Sequence, residues 1–201
     1  MQINQNQMHK LALPAVSLAC LVSLLVFVVG VQDQLQFGSS RCLLFVNDYH
    51  PIPNGPYVFT ATSGACGAAI AIGWIAWLFV VAATALLVYY DRRQQQPQKS
   101  LLRILLLSSA IMVVLMLIVS SIVSAGLAQT CHEFEHNVQN STCGKIFSDG
   151  FFQGESAGPP KNINTANAAQ GAGWVAVLLL GVITAGIYSL WKQTGQWWTG
   201  I

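Results

Sequence analysis

Four stretches of this chain, residues 11–32, 49–90, 104–132 and 162–191, contain no Asp, Glu, Lys or Arg. They run for 22, 42, 29 and 30 residues, and each holds the roughly 20 apolar positions that a helix needs to cross a hydrocarbon core about 30 Å thick. A soluble fold cannot leave such lengths uncharged, because charged side chains are what cover a wet surface. Across all 201 residues only 8% are charged, where globular chains carry roughly 25%. A soluble enzyme, a disordered tail and a nucleic-acid binder are excluded together, and an integral membrane protein remains.

The expected architecture is an all-α integral membrane protein, a single four-transmembrane-helix bundle over residues 1–201. Its spans are Leu11–Val31, Ala65–Tyr90, Leu101–Leu127 and Ala172–Trp191. The loops are 32–64, 91–100 and 128–171. Pro51, Pro53 and Pro56 hold the second charge-free stretch extended at first, so its helix starts near Gly64–Ala69. The first span is too long for a signal-peptide core and no A-x-A site follows it, so it is expected to stay in the mature protein.

Orientation follows from the cations. One side holds Lys10, Arg92, Arg93, Lys99, Arg103 and Lys192 against Asp91; the other holds Arg41, Lys145 and Lys161 against Asp33, Asp48, Glu133, Glu135, Asp149 and Glu155. The positive-inside rule then places both termini and loop 91–100 in the cytosol, and loops 32–64 and 128–171 outside or in a lumen. Cys42, Cys66, Cys131 and Cys143 fall in or beside the outer loops, while Cys20 lies within the first span. Four cysteines in oxidising surroundings imply two disulfides in three possible pairings. Local pairing, Cys42 with Cys66 and Cys131 with Cys143, is favoured over a scheme that ties the loops together. Asn140-Ser141-Thr142 is the acceptable glycosylation sequon, and it falls on the outer side. These signals place the protein in the plasma membrane or secretory pathway.

Within the membrane, helices approach through small residues. Ala65, Ala69 and Gly73 form one such row, Ser120 with Ser124 a second, and Gly181 with Ala185 a third. The plain reading is packing within the bundle; the alternative is a face for another protein. Trp74 and Trp77 lie away from the span ends and point into the bundle or at a partner, so Trp74, Trp77, Ala69 and Gly73 are candidate partner-binding residues. Trp174 at one end of the last span, and Trp191, Trp197 and Trp198 at the other, suit aromatic belts. No ionisable residue lies deep in a span, which argues against an autonomous pump or pore.

One motif looks catalytic. His132-Glu133-Phe134-Glu135-His136 matches H-E-x-x-H, in which two histidines one turn apart hold zinc and the Glu activates water. Glu155 is the downstream acid at a plausible distance for a third ligand, but it lies in a Gly- and Pro-containing stretch, and outer loops of this size build no substrate cleft. Polar residues capping the third helix account for the match more simply. Arg92, Arg93, Lys99 and Arg103 around Gln94–Pro97 are read as a topology determinant attracted to anionic headgroups.

Claudins carry Gly-Leu-Trp and a close Cys pair in the first outer loop, tetraspanins Cys-Cys-Gly in the second, and connexins three Cys in each; none of these motifs fits. Ser40-Arg41-Cys42-Leu43-Leu44-Phe45 resembles the Gly-Arg-Cys-Leu-Leu-Phe of the transmembrane protein 179 family. Ser120-Ser121-Ile122-Val123-Ser124-Ala125-Gly126, a few residues before Cys131, is similar to that family's Ser-Thr-Ile-Val-Ser-Val-Gly before a Cys. The resemblance implies the tetraspan topology and carries over no catalytic residue and no cofactor. The expected function is a non-enzymatic accessory subunit, bound in the bilayer through helix faces and outer loops to a larger channel or receptor. The alternative is a self-associating adhesion or membrane-organising tetraspan, and the third reading is a zinc site or hydrolase at His132, Glu133 and His136.

Overall fold

The computed structural model describes residues 5–37, 41–50, 58–60, 64–93, 97–137, 142–148 and 162–196. Asn140, Asp149, Glu155, Lys161, Trp197 and Trp198 lie outside the described residues. Among the described residues four helices are long and apolar enough to span a membrane: α1 (Gln5–Gly30), α2 (Gly64–Arg92), α3 (Lys99–Asn137) and α5 (Ile163–Gln196). A short helix, α4 (Cys143–Ser148), lies between the last two.

The long helices pass the ends of their apolar runs. At 1.5 Å per residue the 39 residues of α3 reach roughly 58 Å, nearly twice the hydrocarbon thickness. Residues 128–137 and 163–171, expected as loop, are therefore helical. Their composition is polar, and contacts near the Cys131–Cys143 disulfide hold them in place of hydropathy. α1 ends in a π-helical turn, Val31–Leu35. Beyond it two small antiparallel ladders form, β1 (Gln36–Phe37) with β2 (Arg41–Cys42), and β3 (Asn47–His50) with β4 (Val58–Thr60). Strands of this length are too short to write an alternating pattern into the sequence, and the bundle remains the frame.

α1 packs against α2 and α5, and α3 packs against the same two, so the four close into a ring. At its centre lies Phe27, fully buried. A Cβ on Gly173 of α5 would lie 2.8 Å from its ring, and one on Gly73 of α2 would run into Val28 and reach within 3.4 Å of the Phe27 ring. Two glycine notches on opposite helices thus admit one large ring where aliphatic side chains would hold the backbones apart. Leu24, Val31, Met116, Val123, Leu180 and Ile187 continue this core along the bundle. At the disulfide end, the buried Gln34 of the π turn accepts the Asn162 N–H at 2.7 Å, and the Asn162 side chain accepts from Asn164 N–H at 2.9 Å. Asn162 therefore caps α5, and α1 fixes where that cap sits.

Candidate functional site

The described residues of the disulfide end form two modules, both fastened to α3. The first begins where the chain leaves the π turn. Leu43 N–H donates to Leu35 O at 2.8 Å, and Cys42 is bonded to Cys66 in the first turn of α2, with Cα atoms 5.7 Å apart. Leu43, Leu44 and Val46 are fully buried. The segment is pinned to α3 by Thr130, whose hydroxyl lies 2.7 Å from Leu43 O and 2.9 Å from Gly126 O and accepts Val46 N–H at 3.3 Å. A hydroxyl has one proton, so the two carbonyls share it while the oxygen takes the amide.

Phe45 sits at φ 58°, a left-handed conformation that costs a bulky residue on the order of 1 kcal/mol or more. Two contacts hold it there: its N–H donates to Gly126 O at 3.3 Å, and its ring lies over Gly126, where a Cβ would come within 2.9 Å of both Phe45 Cε2 and Leu44 Cβ. The segment from Arg41 to Phe45 therefore meets the Ser120–Gly126 segment at its glycine. The two motifs that carry the family resemblance are halves of one contact.

The second module joins α3 to α4 through Cys131–Cys143, Cα atoms 5.0 Å apart. Phe134 and Phe147, both fully buried, meet edge to face at 6.4 Å, and Glu135 Oε1 accepts Cys143 N–H at 3.2 Å. Glu135, at a variable position of the H-E-x-x-H match, thus caps α4. His132 and His136 are exposed, with ring centroids 6.2 Å apart, and Glu133 is half-buried. Among the described residues no group of three or more His, Cys, Asp or Glu is arranged to hold a metal ion. Glu155, the third-ligand candidate, lies outside the described residues.

The small-residue rows divide. Ala69 and Gly73 are buried, Gly73 against Phe27 and Val28 of α1. These two candidates for partner binding are therefore corrected to bundle packing, since α1 already fills their notch. Ser120 is buried beside Gly173, and Ser124 receives the Trp174 indole N–H at 3.0 Å. Trp174 thus ties α5 to α3 besides standing near the span end. Gly181 and Ala185 behave oppositely: nothing lies within 4 Å of a Cβ built on Gly181, and Ala185 is exposed. Trp74, 39% exposed, faces outward beside Ile75 and Leu78, while Trp77 is half-buried and meets it edge to face at 5.9 Å.

A family profile described as Transmembrane protein 179/179B Claudin domain matches residues 9–194, which includes both segments of the Gly126 contact and all four disulfide cysteines. The chain belongs to this family. Among curated proteins and solved structures nothing matches it. The chain is a multi-pass membrane protein of the plasma membrane or secretory pathway, in a claudin-like membrane family that is not a known enzyme family. The exclusion of claudins on motif grounds needs correcting. A missing Gly-Leu-Trp and a missing close Cys pair remove a motif and not an architecture; here the first-loop cysteine finds its partner at Cys66, in the first turn of α2.

Sequence reasoning passed over Thr130, Gln34 and Phe27, the residues that hold the disulfide end and the centre together. Thr130 and Gly126 are four apart and so share a helix face, which is the one signal the sequence offered. Nothing in the sequence marks Phe45 for a positive φ.

Proposed function

We propose that this protein is a non-enzymatic accessory subunit that binds laterally to a larger membrane protein, such as a channel or receptor, and tunes its assembly, trafficking or gating. The observation that carries the reading is the outward face of α2. Trp74 lies ten residues into α2, roughly 15 Å along the axis and so well inside the hydrocarbon, where aromatic belts do not reach. It makes no hydrogen bond among the described residues, and its ring meets that of Trp77 edge to face. An indole N–H in lipid wants an acceptor, and a neighbouring helix supplies one. The bundle interior is apolar, with Ser17, Gln34, Ser109, Ser120 and Thr130 its buried polar residues among those described, which gives an ion or proton no path of its own.

A second reading, a self-associating membrane-organising tetraspan, is favoured by the outward Gly181 and Ala185 on α5, a spacing that lets a second copy approach closely. Purification of the full chain from native membranes in mild detergent separates the two. Under the first reading a different membrane protein elutes at comparable stoichiometry, and Trp74→Ala releases it while Gly181→Leu does not. A homo-oligomer broken by Gly181→Leu and indifferent to Trp74→Ala establishes the second. A chain that elutes alone overturns both.

A further inference from the structure

At the end of the bundle opposite the disulfides, the described cations Arg92, Arg93, Lys99, Arg103 and Lys192 are all exposed. Two of them lie over aromatic faces, in different ways. Arg93 lies 5.2 Å from the centre of the Tyr89 ring, four residues back in the chain, so that contact is local. Lys99, the first residue of α3, places its ammonium 5.8 Å from the centre of the Trp191 ring on α5, so that contact crosses the seam between two spans. Trp191 is half-buried and stacks on Tyr188 at 6.1 Å with an interplanar angle of 30°. The pair forms an aromatic floor at the mouth of the seam. Arg103 stands one helical turn beyond Lys99 on the same face of α3, and Lys192 follows Trp191 on α5. Two helices thus bring three exposed cations to the same end of the bundle as this aromatic pair, at the level where a span meets headgroups.

This arrangement differs from a general basic fringe. An ammonium held against an indole has lost part of its freedom and part of its water before any ligand arrives, and the donors that point away from the ring remain for an anion. The aromatic rings below suit the boundary between headgroup and acyl chain, and basic pockets between spans are where polyanionic headgroups lodge. A zwitterionic headgroup or one with a single net charge does not match three cations. We propose that Lys99, Arg103 and Lys192, set around Tyr188 and Trp191 at the α3–α5 seam, form a site for an anionic phospholipid of the adjoining leaflet whose headgroup carries phosphomonoester groups, as a phosphoinositide does.

The test uses the purified full-length chain in nanodiscs of phosphatidylcholine, doped either with a phosphatidylinositol bisphosphate or with phosphatidylserine at equal total lipid charge. Native mass spectrometry counts the lipids retained, and thermophoresis with a short-chain phosphatidylinositol bisphosphate gives the affinity. One phosphoinositide per chain is expected to be retained in preference to phosphatidylserine. Affinity should fall about fivefold for each cation removed and on the order of a hundredfold for Lys99→Gln, Arg103→Gln and Lys192→Gln together. Lys99→Gln alone gives the answer if the triple variant folds poorly. Arg92→Gln with Arg93→Gln, which removes charge at the same membrane level but away from the seam, should leave the affinity within about twofold. Equal loss in that control, equal retention of the two lipids, or an affinity unmoved by Lys99→Gln overturns the site and leaves a diffuse field.

Discussion

Replacing Thr130 by Val keeps the shape of the side chain and removes a single oxygen, so it isolates what the hydroxyl does for the disulfide end. Three backbone groups change their state. Gly126 O sits within a helix and retains a ladder hydrogen bond. Leu43 O and Val46 N–H, in a segment whose side chains are buried, lose the contact that holds them to α3. A buried backbone group left without a partner costs roughly 1–3 kcal/mol, which puts the pair between about 2 and 6 kcal/mol. The segment lies near the membrane surface, where water repays part of the loss, so a value near 3 kcal/mol is expected. For a chain of this length that corresponds to a fall in Tm of roughly 6–12 °C, read by tryptophan fluorescence in detergent with both disulfides intact. Hydrogen exchange supplies the local reading: amides 43–46 should exchange much faster in the variant, while those of the Phe27 core keep their protection. Thr130→Ser keeps the oxygen and loses a methyl, so it should cost only about 1 kcal/mol. If Thr130→Val matches Thr130→Ser in both Tm and exchange, the hydroxyl is incidental and the first loop is held by its disulfide and apolar burial alone.

Two further outcomes are expected. Gly73→Ala should destabilise the bundle by a few kcal/mol, because its Cβ meets Val28 and a packed core yields only through strain; Gly181→Ala, with open space around it, should leave thermal unfolding unchanged, and equal Tm values for the two would refute the packing described for α1 and α2. Peptide-N-glycosidase should shift the mobility of the wild type and leave Asn140→Gln unaltered; a wild type without a shift, together with glycosylation of a reporter fused after Ile201, would mean that both termini face the lumen.

What the sequence reveals and conceals here has a physical boundary. Hydropathy reports the solvent of a residue, so the charge-free stretches locate the four spans. The same logic falls silent at Cys131–Asn137 and Ile163–Gly171, where polar residues continue α3 and α5 into the aqueous layer. There the helix is kept by a disulfide, by the Phe134–Phe147 contact and by the Asn162 cap, and each depends on residues far apart in sequence or outside the apolar pattern. The H-E-x-x-H match shows the opposite ambiguity. A pattern that specifies helix spacing is satisfied by any helix, and Glu135, at one of its variable positions, accepts Cys143 N–H.

Small-residue rows make the limit sharper. Ala69–Gly73 and Gly181–Ala185 share one spacing, yet the first is buried, with Gly73 against Phe27 and Val28, and the second faces outward. Smallness fixes how near another backbone is able to come; which backbone comes is decided by the shape it offers. α1 offers Phe27, a ring whose bulk is useless unless two helices yield at the same level, and Gly73 on α2 and Gly173 on α5 both do. Among the described residues the outward row meets no such ring. The inward row is therefore spent on folding, while Gly181–Ala185 and the exposed edge of Trp74 stay uncovered by the described residues of the chain, so their smallness and bulk serve no packing among those residues.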